Sequence, residues 1–151
     1  MKGFKAIILL SCLFFYGCRY GMTDSAYLIE DNPELFNKRG KLQQAIGIDV
    51  GNDKFLAIVP KGVKGNIAEA VNIKRSVIGS GTQEGVKFTL FRGNSEKVSE
   101  NTQLGSYEIS ISKEVEKASN IRLLVGVLDK KIVMEATDPS SKTTLTIQKL
   151  N

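Results

Sequence analysis

The residues of this chain whose type and spacing could do chemistry are two carboxylate pairs, Asp49 with Asp53 and Glu114 with Glu116, and two cysteines, Cys12 and Cys18. Paired carboxylates can share general acid and base work of the kind glycosidases use. Both pairs, however, read as loop or edge charges on a solvated face, and Asp49 and Asp53 bracket the turn-forming run Gly51-Asn52. The chain has 0 histidines. That excludes a Ser-His-Asp or Cys-His triad, an H-E-x-x-H zinc site and any imidazole base. Both cysteines fall within the first 18 residues, so beyond them no disulfide or thiolate metal site is expected. No glycine-rich phosphate cradle precedes a helix. The expectation is a protein that is no enzyme and uses no cofactor or metal.

The chemistry that remains is at Cys18. Residues 1–5 are Met-Lys-Gly-Phe-Lys, an apolar run extends from Ala6 to Gly17, and Cys18 follows. A basic end before about a dozen apolar residues is the layout of a secretory signal, and the run falls short of the roughly 20 residues of a membrane-spanning helix. Phe15-Tyr16-Gly17-Cys18 resembles the bacterial lipobox. The resemblance implies cleavage before Cys18, acyl chains on the new N-terminus and a lipid anchor in a bacterial cell envelope. An ordinary secreted protein with an unpaired cysteine is the other reading. The organisation expected is a signal peptide at 1–17, the lipidated cysteine and a tether at 18–44, and one folded domain at 45–151.

The 151 residues suit one domain. Once Lys2 and Lys5 leave with the signal segment, 19 basic residues face 16 acidic ones, a net of +3. With no arginine-rich or aromatic-interleaved stretch, that field gives no reason to expect nucleic-acid binding.

From Ala45 onward the pattern has period two. Val86, Phe88 and Leu90 alternate with Lys87, Thr89 and Phe91; Tyr107, Ile109 and Ile111 with Glu108, Ser110 and Ser112; Ile121, Leu123, Val125 and Val127 with Arg122, Leu124 and Gly126. Turn signals such as Gly51-Asn52-Asp53, Arg92-Gly93-Asn94 and Asp129-Lys130 punctuate the runs. The pattern predicts an all-β domain, an eight-stranded antiparallel β-sandwich, with strands near 45–50, 54–60, 72–78, 86–92, 104–111, 121–128, 131–136 and 143–149.

Within this frame Gln83 to Gly93, followed after a gap by Asn101-Thr102-Gln103-Leu104-Gly105-Ser106-Tyr107-Glu108-Ile109, resembles the β-sandwich substrate-binding domain of the heat-shock-protein-70 chaperones. Ile46-Gly47-Ile48-Asp49, Lys74-Arg75-Ser76, Ala136-Thr137-Asp138 and Thr144-Leu145-Thr146-Ile147 are similar to further pieces of that domain, in the same order. The resemblance implies a groove for an extended apolar peptide, with Ile48, Ile78, Val86 and Phe88 as its pocket. Residues 1–44 leave no room for that family's ATP-hydrolysing domain, so binding would be independent of nucleotide. The chain differs from the family at Gly51, at the short loop Gly79-Ser80-Gly81-Thr82 and at the longer loop Lys61 to Ala70. Two readings follow. One is a membrane-anchored module that binds unfolded or extended peptide segments. The other is a surface interaction or adhesion lipoprotein, in which the sandwich is a scaffold, the groove is lost, and the loops Lys61 to Ala70 and Asn94 to Asn101 contact another envelope protein.

Overall fold

The computed structural model describes residues 27–28, 33–74, 85–111 and 120–151. Ten strands form among them: β1 Tyr27–Leu28, β2 Ala45–Asp49, β3 Phe55–Val59, β4 Ile67–Lys74, β5 Val86–Gly93, β6 Thr102–Ile109, β7 Asn120–Leu128, β8 Lys131–Thr137, β9 Thr144–Leu145 and β10 Ile147–Leu150. Every pairing is antiparallel. One sheet has the order β10-β6-β5-β2-β3. In the other, β4, β7 and β8 lie side by side, and β1 and β9 pair with successive stretches of β8.

Period-two burial explains why these segments pair. Ile46 and Ile48, Phe88 and Leu90, and Tyr107 and Ile109 from one sheet are buried with Ile121, Leu123, Val125, Ile132 and Met134 from the other, in one apolar cluster. Phe88 and Tyr107 are cross-strand partners, stacked with ring centroids 5.4 Å apart. Such a pair adds about 0.5–1.5 kcal/mol beyond its buried area. The β7–β8 connection is a two-residue turn, Asp129-Lys130, with φ of 49° and 63°. Left-handed values at both positions make it type I′, whose twist matches that of paired strands.

Each of the eight expected strands has a counterpart, with four differences. The third begins at Ile67, inside the stretch expected to be loop. Ile67, Val71 and Ile73 pack on the core, but Glu69, opposite buried Val125, shares their face and interrupts the apolar series. β4 is a sheet edge, where a charge on the inner face stays hydrated and discourages further strand pairing. The last strand divides at Thr146: β9 pairs with β8, while β10 pairs with β6 in the other sheet. Leu145 and Ile147 are both buried, so this segment ties the two sheets together. Third, Leu124, Val133 and Glu135, on the face of their sheet away from the core cluster, are also buried, where alternation predicts solvent. Fourth, the packed body takes in part of the segment assigned to a tether. Leu35, Phe36 and Leu42 are core residues, and β1 lies along β8. Three hydrogen bonds fix this plug: Gln43 N–H to the Leu35 carbonyl (2.8 Å), Leu42 N–H to the Val63 carbonyl (2.9 Å) and Gly62 N–H to the Leu42 carbonyl (2.8 Å).

Candidate functional site

β2 runs from a partnership of Ala45 with Gly93 to one of Ile48 with Leu90, so Val86, at the start of β5, lies towards the β2–β3 hairpin. The two ends of the sandwich are thereby defined. The Leu35-Phe36-Leu42 plug fills one, and the hairpin stands at the other. Among the described residues, the large hydrophobic side chains left in solvent are Val50, 48% exposed, and Leu56, 38% exposed. They flank the hairpin turn. Leu56 pairs with Ile48 and so shares its core-directed face, yet Ile48 is 3% exposed. Leu56 lies on β3, the outer strand of its sheet, whose first residues are covered by the β5–β6 loop through the Lys54–Lys97 bridge.

The hairpin tip is held rigidly. Gly51, Asn52 and Asp53 have φ of 93°, 56° and 57°, a left-handed run that glycine, asparagine and aspartate accommodate best. The Asp49 carboxylate accepts the Gly51 N–H at 2.7 Å. Asp53 accepts both the Ser99 N–H and the Ser99 hydroxyl, each at 2.7 Å. Those bonds hold the Asp53 carboxyl below its ordinary pKa, the Ser99 hydroxyl contributing most and Lys97 assisting. Phe55 N–H donates to the Glu96 carbonyl and Val98 N–H to the Asp53 carbonyl. Asp49 and Asp53 therefore serve as turn caps, while Glu114 and Glu116 lie outside the described residues.

The loop that grips the hairpin is itself built by the motif quoted from the sequence. Asn101 Oδ1 accepts the Ser95 N–H at 3.2 Å, and Asn101 Nδ2 donates to the Ser95 carbonyl at 2.9 Å. The Asn101 side chain lies so close to Gly93 that any Cβ there would collide with it. A Cβ on Gly105 would stand 2.7 Å from the Tyr107 hydroxyl. The β5–β6 register slips between Leu90 and Phe91, leaving Leu104 unpaired and returning it to the core as a bulge residue. Gly93 and Asn101 thus shape the loop that holds the hairpin, while Leu104, Gly105 and Tyr107 pack within the sheet and core.

Of the pocket residues read from the sequence, Ile48 and Phe88 lie in the core cluster, and Val86 is half-buried against it. Ile78 and Cys18 fall outside the described residues, as does the Gly79 to Thr82 loop. Val50 and Leu56 were not singled out in the sequence: an apolar residue within an apolar strand carries no local mark of exposure. No protein-family model matches this chain, and no curated protein sequence matches it. The fold and this end of it define an all-β, two-sheet protein with one plugged end and one apolar end.

Proposed function

We propose that this chain is an envelope lipoprotein, anchored through Cys18, whose β-sandwich binds extended apolar peptide segments at the β2–β3 end without nucleotide and without catalysis. The observation that supports it best is the pair of exposed apolar side chains, Val50 and Leu56, on a rigid hairpin beside an outer strand. An extended segment there gains side-chain contact from Leu56 and Val50, and main-chain hydrogen bonds from β3 beyond Phe55, whose N–H is already taken by Glu96. A pre-ordered receptor surface keeps the cost of binding low. Ile48, Val86 and Phe88, with Ile78, form the apolar floor in this reading, so substitutions at the floor would unsettle the core and Leu56 is the cleaner probe.

Titration of fluorescent apolar heptapeptides onto the full chain tests the binding. Saturable binding that weakens at least about tenfold in Leu56→Asp is expected, the loss of roughly one good contact. No saturable binding by the unsubstituted chain would falsify the reading. Incorporation of radioactive fatty acid into the wild type, lost in Cys18→Ser, tests the anchor separately. Label retained in Cys18→Ser overturns it.

A further inference from the structure

Opposite the hairpin, three stretches far apart in sequence meet in a concavity. The turn at residues 37–41, the loop at 61–66 and the β7–β8 turn enclose a cleft of ≈ 400 Å³, floored in part by Phe36 and Val127. Lys38, Arg39, Lys64 and Lys130 line it, against one acid, Asp129. None of the four cations is ion-paired with a described residue. Lys41 and Lys61, both exposed, flank them on the same turn and loop.

Hydrogen bonds hold these like charges together. Asn37 Oδ1 accepts the N–H groups of Arg39 and Lys41, at 2.9 and 3.0 Å. Lys41 pairs with Lys64 through the backbone, which ties the first stretch to the second. Asn66 Oδ1 accepts the Asp129 N–H at 3.0 Å, tying the second to the third. The backbone is fixed while the cationic side chains are unneutralised, so their mutual repulsion is relieved by an anion arriving from outside. A concave wall of one sign focuses that field. Among the described residues of the hairpin end the signs are mixed, since Asp49, Asp53, Glu96 and Glu100 stand among Lys54 and Lys97.

We propose that this cleft seats the phosphate headgroups of an anionic membrane surface. The choice of a lipid as the phosphate source rests on the anchoring reading, because a tethered body meets the bilayer at high effective concentration. The flanking lysines spread positive charge wider than one small ion needs. Seated in this way, the body turns its plugged end to the lipid and its hairpin end away from it.

The test uses the full chain with Cys18→Ser, so that no acyl group is present, in co-sedimentation with vesicles. Phosphatidylcholine vesicles give the contribution of the apolar leader, and vesicles with phosphatidylglycerol added report the cleft. The expected result is preferential binding to the anionic vesicles, weakened on the order of 100-fold when Lys38, Lys64 and Lys130 are all changed to Gln. Changing Lys54, Lys87 and Lys149 to Gln instead, an equal loss of charge elsewhere, leaves most of the binding. Both triple variants must melt with the parent. Equal weakening by the two sets overturns the cleft, as does equal binding to neutral and anionic vesicles. Release by millimolar inorganic phosphate at constant ionic strength overturns the lipid source in favour of a soluble phosphate. Because the anchor is absent from this assay, failure here leaves the fatty-acid labelling result standing, and failure of labelling leaves this result standing.

Discussion

At the end of the sandwich where β2 begins, Leu35, Phe36 and Leu42 fold in beneath the sheets and bury themselves, while at the end where β2 turns into β3, Val50 and Leu56 stay in solvent. The charges are treated in the reverse sense. At the hairpin, Asp49 and Asp53 satisfy backbone and hydroxyl donors, and Glu100 accepts the Ser95 hydroxyl at 2.5 Å. At the plugged end, Lys38, Arg39, Lys64 and Lys130 line a cleft in which Asp129 is the one acid among the described lining residues. One end is thus apolar outside and electrostatically quiet, the other apolar inside and electrostatically exposed. Buried apolar groups at one end stabilise the fold, and the same kind of group left exposed at the other is available for a partner.

Removing the plug has the largest expected effect. Leu42→Ala deletes a side chain that is 1% exposed and is expected to cost about 2–5 kcal/mol in urea unfolding. Leu56→Ala, on an exposed residue, is expected to stay within about 0.5 kcal/mol. Equal costs at the two sites would erase the distinction between the ends.

A smaller effect is expected where the hairpin is gripped. Gly93→Ala forces a Cβ against Asn101 and should cost about 1–3 kcal/mol, the usual range for overpacking. Adding Asn101→Gly should return part of that loss, a coupling that a double-mutant cycle reads. Strict additivity of the two changes would show that the contact does not matter.

The smallest expected effect is in pH dependence. Asp53 and Asp138 both have folded pKa values below the ordinary one. The Ser99 hydroxyl is the main cause for Asp53 and the Ser141 hydroxyl, at 2.6 Å, for Asp138. The folded state then binds fewer protons than the unfolded state across the interval between the two pKa values. Their stabilisation is therefore complete above the unfolded pKa, about 4, and is lost as pH falls toward the depressed folded values. Ser99→Ala should flatten the acid side of the stability curve, as followed by urea midpoints at several pH values. An unchanged acid limb would show that the Asp53–Ser99 bonds add nothing to stability.

The strands that were legible in the sequence are those with an uninterrupted alternation. In β5, β6 and β7 the inner series Phe88-Leu90, Tyr107-Ile109 and Ile121-Leu123-Val125-Val127 carries no charge, and each emerges in its expected place. β4 was masked over its first residues by Glu69, whose charge is tolerated only because β4 is an edge. The plug was missed because Leu35, Phe36 and Leu42 are too few and too interrupted to form a periodic series. They read as isolated apolar residues among turn formers, and only the carbonyls of Leu35 and Val63 reveal what holds them. The sheet switch at Thr146 leaves no trace either, since Leu145 and Ile147 face a core on both sides of it. The basic cleft was the least legible of all. Lys38 and Lys130 are joined by topology alone, and the overall charge of the chain hides a local field of four cations.

The exposed apolar side chains of the hairpin end are proposed as the binding surface. Peptide titration of Leu56→Asp against the unsubstituted chain, with urea midpoints measured on the same samples, tests it most directly. Apolar-peptide affinity is expected to fall at least about tenfold with the unfolding midpoint nearly unchanged. Affinity that survives the substitution, in a chain that remains folded, contradicts it.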